Sequence, residues 1–132
     1  MKLLLRRYSP RLHGTPYMAE VILETGAKIN IEHAKVDAVH AEVIIDVPND
    51  KLEEVVERFK QKGIEVRRLM KLIAWDEERC IHCGACISVC PTGVFSFDHE
   101  WTLNLEEEKC IRCDVCIKAC PLGALASMDG ID

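Results

Sequence analysis

The 132-residue sequence has few aromatic residues and no long apolar run. Phe, Trp and Tyr together make up 5% of it, which leaves little material for a large core. No window approaches the roughly 20 apolar residues that a membrane-spanning helix needs. The apolar run Leu3–Leu5 is also too short for the core of a secretory signal. We therefore expect a soluble, cytoplasmic protein with no membrane association.

Signatures of catalysis are missing as well. There is no glycine-rich phosphate loop and no nucleophile beside a general base, and no cysteine lies outside two short runs. With every thiol placed in those runs, none remains to carry a persulfide. We expect no catalysis by this chain on its own.

The two cysteine runs dominate the second half of the chain. They occupy residues 80–91 and 110–121, and both follow the pattern C-x2-C-x2-C-x3-C-P. This spacing is typical of a pair of [4Fe–4S] clusters in which the fourth cysteine of each run binds the other cluster. One predicted ligand set is Cys80, Cys83, Cys86 and Cys120, and the other is Cys110, Cys113, Cys116 and Cys90.

Structural zinc and disulfides are the alternatives for these cysteines. Zinc takes four ligands, usually as two separated pairs, so the third cysteine and the fourth before proline are surplus to it. Disulfides require an oxidising compartment, and nothing in the sequence indicates export. Two [4Fe–4S] clusters are the reading that uses every cysteine.

Charge is divided unevenly along the chain. Residues 1–73 carry a net charge of +2 and residues 74–132 a net charge of −7. Anionic clusters add further negative charge to the second half. An acidic domain of this kind repels nucleic acid and is steered toward a basic patch on a protein partner. We expect no nucleic-acid binding.

Residues 1–73 have the pattern of a mixed α+β domain. A strand at Leu3–Leu5, ended by Ser9–Pro10, precedes a helix that Thr15 caps and Gly26 closes. Two alternating strands follow, with a bulge or bend after His33, and then a helix with a capping box of Asp50 and Glu53. A fourth strand completes the order β-α-β-β-α-β, which predicts a four-stranded antiparallel sheet with two helices on one face.

Residues 74–132 predict a second, small domain with an internal duplication of about thirty residues. A hairpin is expected around Asp98–Glu100. We expect Trp75 and Trp101 to shield the clusters, and His82 and Arg112 to face solvent. Asp114 stands where the first run has Gly84, so its charge predicts a lower reduction potential for the cluster of Cys110, Cys113 and Cys116.

The second half, by its eight cysteines and two prolines, resembles a bacterial-type two-[4Fe–4S] ferredoxin with pseudo-twofold symmetry. The first half resembles the NIL domain through Gly14-x-Pro16, the Asn30–Ile31 pair and the element order. Their fusion is similar to the iron–sulfur subunits of the anaerobic, largely archaeal system that makes homocysteine from aspartate semialdehyde and sulfide. The resemblance implies low-potential electron transfer for methionine biosynthesis, with a catalytic sulfurtransferase subunit and an upstream electron donor as partners.

Two other functions remain open at this point. The NIL-like sheet is a candidate sensor for an amino acid or thiol, with the clusters reporting redox state to a partner. The chain is alternatively a general electron carrier whose extra domain only docks. Exposed sheet edges would also allow a dimer, and the sequence leaves the oligomeric state open.

Overall fold

The computed structural model describes residues 1–8 and 14–128. The chain divides into two compact units, with the division between Met70 and Lys71. The described residues before it form the N-terminal unit and those after it form the C-terminal unit. The domain boundary expected between residues 73 and 74 stays a prediction. The strand end proposed at Ser9–Pro10 lies outside the described residues.

The N-terminal unit is a four-stranded antiparallel sheet with two helices. Its elements are β1 (Lys2–Arg7), α1 (Tyr17–Thr25), β2 (Asn30–Val36), β3 (Ala41–Asp46), α2 (Leu52–Gln61) and β4 (Glu65–Arg68). The strands lie in the order β2-β3-β1-β4, and each neighbouring pair is antiparallel. The mixed α/β class and the antiparallel sheet of four strands are as predicted.

The core of this unit joins one face of the sheet to α1 and α2. The apolar positions of α2 recur at helical spacing, and three of them, Val55, Val56 and Phe59, are buried. They belong to one cluster with residues of α1, three strands and the segments next to them, namely Leu3, Leu5, Val21, Ala27, Val43, Ile45, Val47, Ile64 and Val66. Phe59 is fully buried there, so it contributes the largest side chain to the core.

Both predicted N-terminal helix caps are wrong. No side chain caps α1, and Pro16 rather than Thr15 is the residue that precedes its first turn. A 3-10 turn over Asn49–Lys51 leads into α2, so Asp50 lies too early to cap the helix. Glu53 instead pairs with Arg68 at 2.9 Å. The cap by Gly26 at the other end of α1 is confirmed, with the left-handed φ of 67°.

The predicted irregularity in β2 is confirmed, one residue earlier than expected. The register against β3 shifts between Ile31 and His33, which leaves Glu32 as the extra residue. The Glu32 carboxylate pairs with Lys2 at 2.9 Å. The bulge therefore turns a charged side chain toward a partner on β1.

The C-terminal unit consists of short elements around two cysteine-rich loops. They are β5 (Ile73–Trp75), α3 (Ala85–Val89), β6 (Phe95–Phe97), β7 (Leu103–Leu105), α4 (Val115–Ala119) and β8 (Leu125–Ser127). β5 pairs with β8 and β6 with β7, both antiparallel. The hairpin predicted around Asp98–Glu100 is confirmed. No helix within the described ranges is long and apolar enough to cross a membrane.

Candidate metal centre

Each half of the C-terminal unit presents a curled loop followed by a helix of five residues. Four thiols drawn from both halves line a cavity that we call cavity A: Cys80, Cys83, Cys86 and Cys120. It encloses about 370 Å³ of space outside protein atoms, part of it open to solvent. Its remaining wall is largely apolar and includes Ile81, Leu103 and Leu125. Cys80 and Cys120, forty residues apart in the sequence, therefore line the same cavity.

The other four thiols line a second cavity, cavity B. They are Cys90, Cys110, Cys113 and Cys116. This cavity encloses about 280 Å³ and its wall includes Ile73, Phe95 and Asp114. The fourth cysteine of each run thus lines the same cavity as the first three of the other run.

The donor set fits a polynuclear cluster better than a single ion. All eight cysteines are free of disulfides. Within residues 1–8 and 14–128, no three His, Cys, Asp or Glu side chains are grouped so as to hold one metal ion. The four sulfurs of each set line the wall of one cavity, and their spacing in the sequence is that of [4Fe–4S] ligands. The buried indole N–H of Trp75, in the wall of cavity A, has no hydrogen-bond partner among the described residues, and a sulfur-rich group would supply an acceptor.

Backbone amides point at the sulfurs in both halves. His82 N donates to Cys80 Sγ at 3.4 Å, and Arg112 N donates to Cys110 Sγ at 3.3 Å. The fourth cysteines receive equivalent bonds, from Val94 N to Cys90 Sγ at 3.4 Å and from Ala124 N to Cys120 Sγ at 3.3 Å. These donors stabilise the thiolate form that metal ligation requires.

Burial and backbone N–H donors shift the pKa of four of the thiols, two downward and two upward. For Cys90 and Cys120, burial is the largest single influence and acts to raise the pKa, but the surrounding backbone N–H donors together outweigh it and lower the pKa. For Cys86, burial raises the pKa. Burial, followed by the neighbouring thiols Cys110 and Cys113, raises the pKa of Cys116 to about 12. The buried cysteines therefore become ligands only by releasing protons to the solvent as metal binds.

The curl of the loops depends on residues with positive φ. Gly84 (80°) and Asp114 (62°) occupy the same place, immediately before α3 and α4. A Cβ on Gly84 would lie 2.9 Å from Cζ of Phe97, so close packing as well as φ favours glycine there. His82 and Arg112 also have positive φ, 54° and 55°. Sequence reasoning missed these two positions, because neither residue type signals a left-handed backbone.

The predictions for four side chains near the cavities have different outcomes. Trp75 lines cavity A as expected, whereas Trp101 is 74% exposed and shields neither cavity. Arg112 is buried rather than solvent-facing. His82 is half-buried, because its Nδ1 accepts a bond from Leu103 N at 3.0 Å and its ring stacks edge-on against Trp75. The loops therefore hold these side chains inward.

Comparisons with known proteins agree with this geometry. Residues 79–124 match the family model for a 4Fe-4S dicluster domain. The chain is 46% identical over 88 residues to the L-aspartate semialdehyde sulfurtransferase iron-sulfur subunit of Methanosarcina acetivorans, covering 67% of this chain and 68% of that protein. It is 39% identical over 91 residues to the protein of the same name from Methanocaldococcus jannaschii, with the same coverage. The dicluster match and the eight cysteines together assign two [4Fe–4S] clusters to the chain.

Proposed function

The chain belongs to the family of L-aspartate semialdehyde sulfurtransferase iron–sulfur subunits, and we propose that it delivers electrons to a catalytic subunit of that enzyme. In this role the catalytic subunit binds L-aspartate semialdehyde and carries the sulfur, and homocysteine is the product. An upstream electron donor reduces the chain between turnovers. The observation that carries the proposal is the grouping of eight cysteines around two adjacent cavities within a family of this name.

The stoichiometry of the reaction supports the proposal. An aldehyde, hydrogen sulfide, two protons and two electrons combine to give a thiol and water. Each cluster, when bound, supplies one electron, so two clusters match the demand of one turnover. The chain has no cysteine to spare as a sulfur carrier, which leaves sulfur transfer to the catalytic subunit.

We assign the ligands by the cavity that each cysteine lines. Cys80, Cys83, Cys86 and Cys120 would hold one cluster, and Cys110, Cys113, Cys116 and Cys90 the other. The amide donors to Sγ would stabilise the negative charge on the ligands. The apolar walls would limit water access and so favour low reduction potentials. The chain thereby supplies ligation, burial and charge, while the electron chemistry belongs to the clusters.

We assign the N-terminal unit to the NIL domain, and its β-α-β-β-α-β order supports that assignment. Neither comparison attaches a small molecule to this unit, so we give it a structural or docking role. A cytoplasmic location also stays part of the proposal, since both the substrate and the low-potential donor of such an enzyme belong to reducing surroundings.

Gene deletion in an anaerobic host that grows on sulfide tests the proposal. The expected result is a growth requirement that homocysteine relieves. Complementation with the wild-type gene restores growth, and complementation with a Cys83→Ser, Cys113→Ser double variant does not. Unchanged growth of the deletion strain, with no duplicate gene present, would contradict the proposal.

A further inference from the structure

The internal duplication allows the two cavities to be compared position by position. Ile81 beside cavity A is 62% exposed, whereas its counterpart Ile111 beside cavity B is half-buried. Leu122, at 44% exposed, corresponds to Thr92, which is half-buried and whose hydroxyl contacts Cys90 Sγ at 3.7 Å. The ligand cysteines differ in the same sense, since Cys83 is exposed and Cys113 is not. Ile81, Leu122 and Cys83 beside cavity A are therefore each more exposed than their counterparts beside cavity B.

Trp101 lies on this same side of the C-terminal unit. Its ring packs against Phe97 with centroids 5.5 Å apart, and Phe97 lies over Gly84 in the wall of cavity A. Two residues further along the chain, Leu103 also lines cavity A and donates its N–H to His82, the neighbour of Ile81. The hairpin tip that carries Trp101 is thereby tied to the cavity A loop.

The fold gains little from a tryptophan at position 101. The residue is 74% exposed and has a φ of 62°, a backbone conformation that bulky side chains rarely adopt. Asp98 already closes the turn, because its Oδ1 accepts hydrogen bonds from Glu100 N and Thr102 N. An exposed aromatic residue with a strained backbone, whose ring packs against Phe97 and is otherwise largely exposed, is typical of a binding surface.

The charged residues around these apolar side chains indicate which kind of partner surface would bind them. Asp98 and Glu100, both exposed, precede Trp101 in the same turn. On the other side, the exposed turn that leads into Cys80 carries three acids, Asp76, Glu77 and Glu78, and one base, Arg79, which pairs with Asp76 at 3.8 Å, so the turn stays net negative. The backbone N–H of Asp76 donates to Ala124 O at 2.8 Å, which fixes this turn close to the segment of Leu122. The complement of such a surface is an apolar recess surrounded by Lys and Arg.

We propose that Ile81, Trp101 and Leu122 form a docking surface for the catalytic sulfurtransferase subunit. The inference rests on the proposed function and adds where the two subunits meet. The docking surface places the partner over the exposed Cys83, so that the thiolates of cavity A, rather than those of cavity B, lie nearest to the electron acceptor. An interface of this kind is at the small end of protein complexes, as expected for redox partners that meet transiently.

The test measures binding of the cluster-loaded chain to the purified catalytic subunit under anaerobic conditions by titration calorimetry. Trp101→Gly removes the side chain. Because glycine adopts a φ of 62° without strain, the variant is expected to fold at least as well as the wild type. We expect its Kd to rise by about tenfold or more, because tryptophan is a frequent binding hot spot. Leu122→Thr, which copies the residue of the other half, should raise Kd by about fivefold.

Val115→Ala is the matched control. Val115 is 43% exposed in the same unit, at the start of α4 on the cavity B loop, and its variant should leave Kd within about twofold. Absorbance of the clusters and circular dichroism check that every variant is loaded and folded. If Trp101→Gly loses cluster, Leu122→Thr decides the question.

The outcomes separate this inference from the proposed function. If the wild type binds and both Trp101→Gly and Leu122→Thr bind equally well, the docking surface is wrong while the partnership stands. If Val115→Ala raises Kd more than Trp101→Gly and Leu122→Thr do, the partner docks beside cavity B, and the proposed docking surface is wrong. If the wild-type chain does not bind the catalytic subunit at all, the proposed partnership fails, and the docking surface fails with it.

Discussion

The Asp114 carboxylate gives cavity B a negative charge that cavity A lacks at the equivalent position. Asp114 lines cavity B, and its Oδ1 is buried without a hydrogen-bond partner among the described residues. Gly84 occupies the corresponding place at cavity A. Because reduction adds a negative charge to the site, a nearby carboxylate opposes it. Replacing Asp114 by Asn should therefore raise the reduction potential of the cluster in cavity B.

The size of the effect follows from the electrostatic interaction. Two unit charges about 7 Å apart interact by about 2.4 kcal/mol at an effective dielectric constant of about 20. For a one-electron couple this corresponds to about 100 mV, at about 59 mV for each tenfold change in equilibrium constant. Asp114 is half-buried as a residue, so solvent screening reduces the figure, and we expect a rise of about 50 to 100 mV.

Redox titration monitored by electron paramagnetic resonance measures this shift. Asp114→Asn keeps the side-chain shape and tolerates the left-handed φ. Its amide adds an N–H donor that could itself affect the potential, and Asp114→Gly removes the charge without adding that donor. Both variants should raise the lower of the two potentials. Asp98→Asn, which removes a charge at the exposed hairpin tip, is the control and should change either potential by less than about 20 mV. Unchanged potentials in both Asp114 variants would refute the reasoning.

Three further predictions concern stability. Removing iron with a chelator should unfold the C-terminal unit, whose short strands enclose the two cavities, while the N-terminal sheet keeps its amide protection in hydrogen exchange; equal protection in both units would contradict this. Gly84→Ala should lose cluster faster than Gly93→Ala, since both have positive φ but only Gly84 faces Phe97 at 2.9 Å; equal loss rates by absorbance would count against it. Phe59→Ala should destabilise the N-terminal unit by about 3–5 kcal/mol in denaturant unfolding, whereas Leu23→Ala, at a site 84% exposed, should cost below about 0.5 kcal/mol.

Local spacing explains why much of this chain was predictable. The ligand pattern is confined to two runs of twelve residues, and each run holds three cysteines at fixed separations that a loop can satisfy by itself. The apolar period of α2 likewise depends only on helical geometry, and its Val55, Val56 and Phe59 are buried as expected. Both signals are readable without knowledge of the neighbouring elements.

The predictions that were wrong concern features that depend on tertiary surroundings. Arg112 is buried because its loop curls inward with a φ of 55°, which its residue type does not signal. Trp101 is exposed because the hairpin turn closes on Asp98 and places the indole at its tip, where the ring packs edge-on against Phe97 and the rest of it faces solvent. The two N-terminal cap predictions were wrong because Thr15 and Asp50 have the right chemistry but each lies two positions before the first residue of its helix.

Single-turnover transfer tests the central claim most directly. The fully reduced chain is mixed anaerobically with the catalytic subunit, L-aspartate semialdehyde and sulfide, and cluster reoxidation and homocysteine are followed together. The account predicts reoxidation of both clusters with one homocysteine formed for each two electrons lost. Clusters that stay reduced, or that reoxidise without any homocysteine, would contradict it.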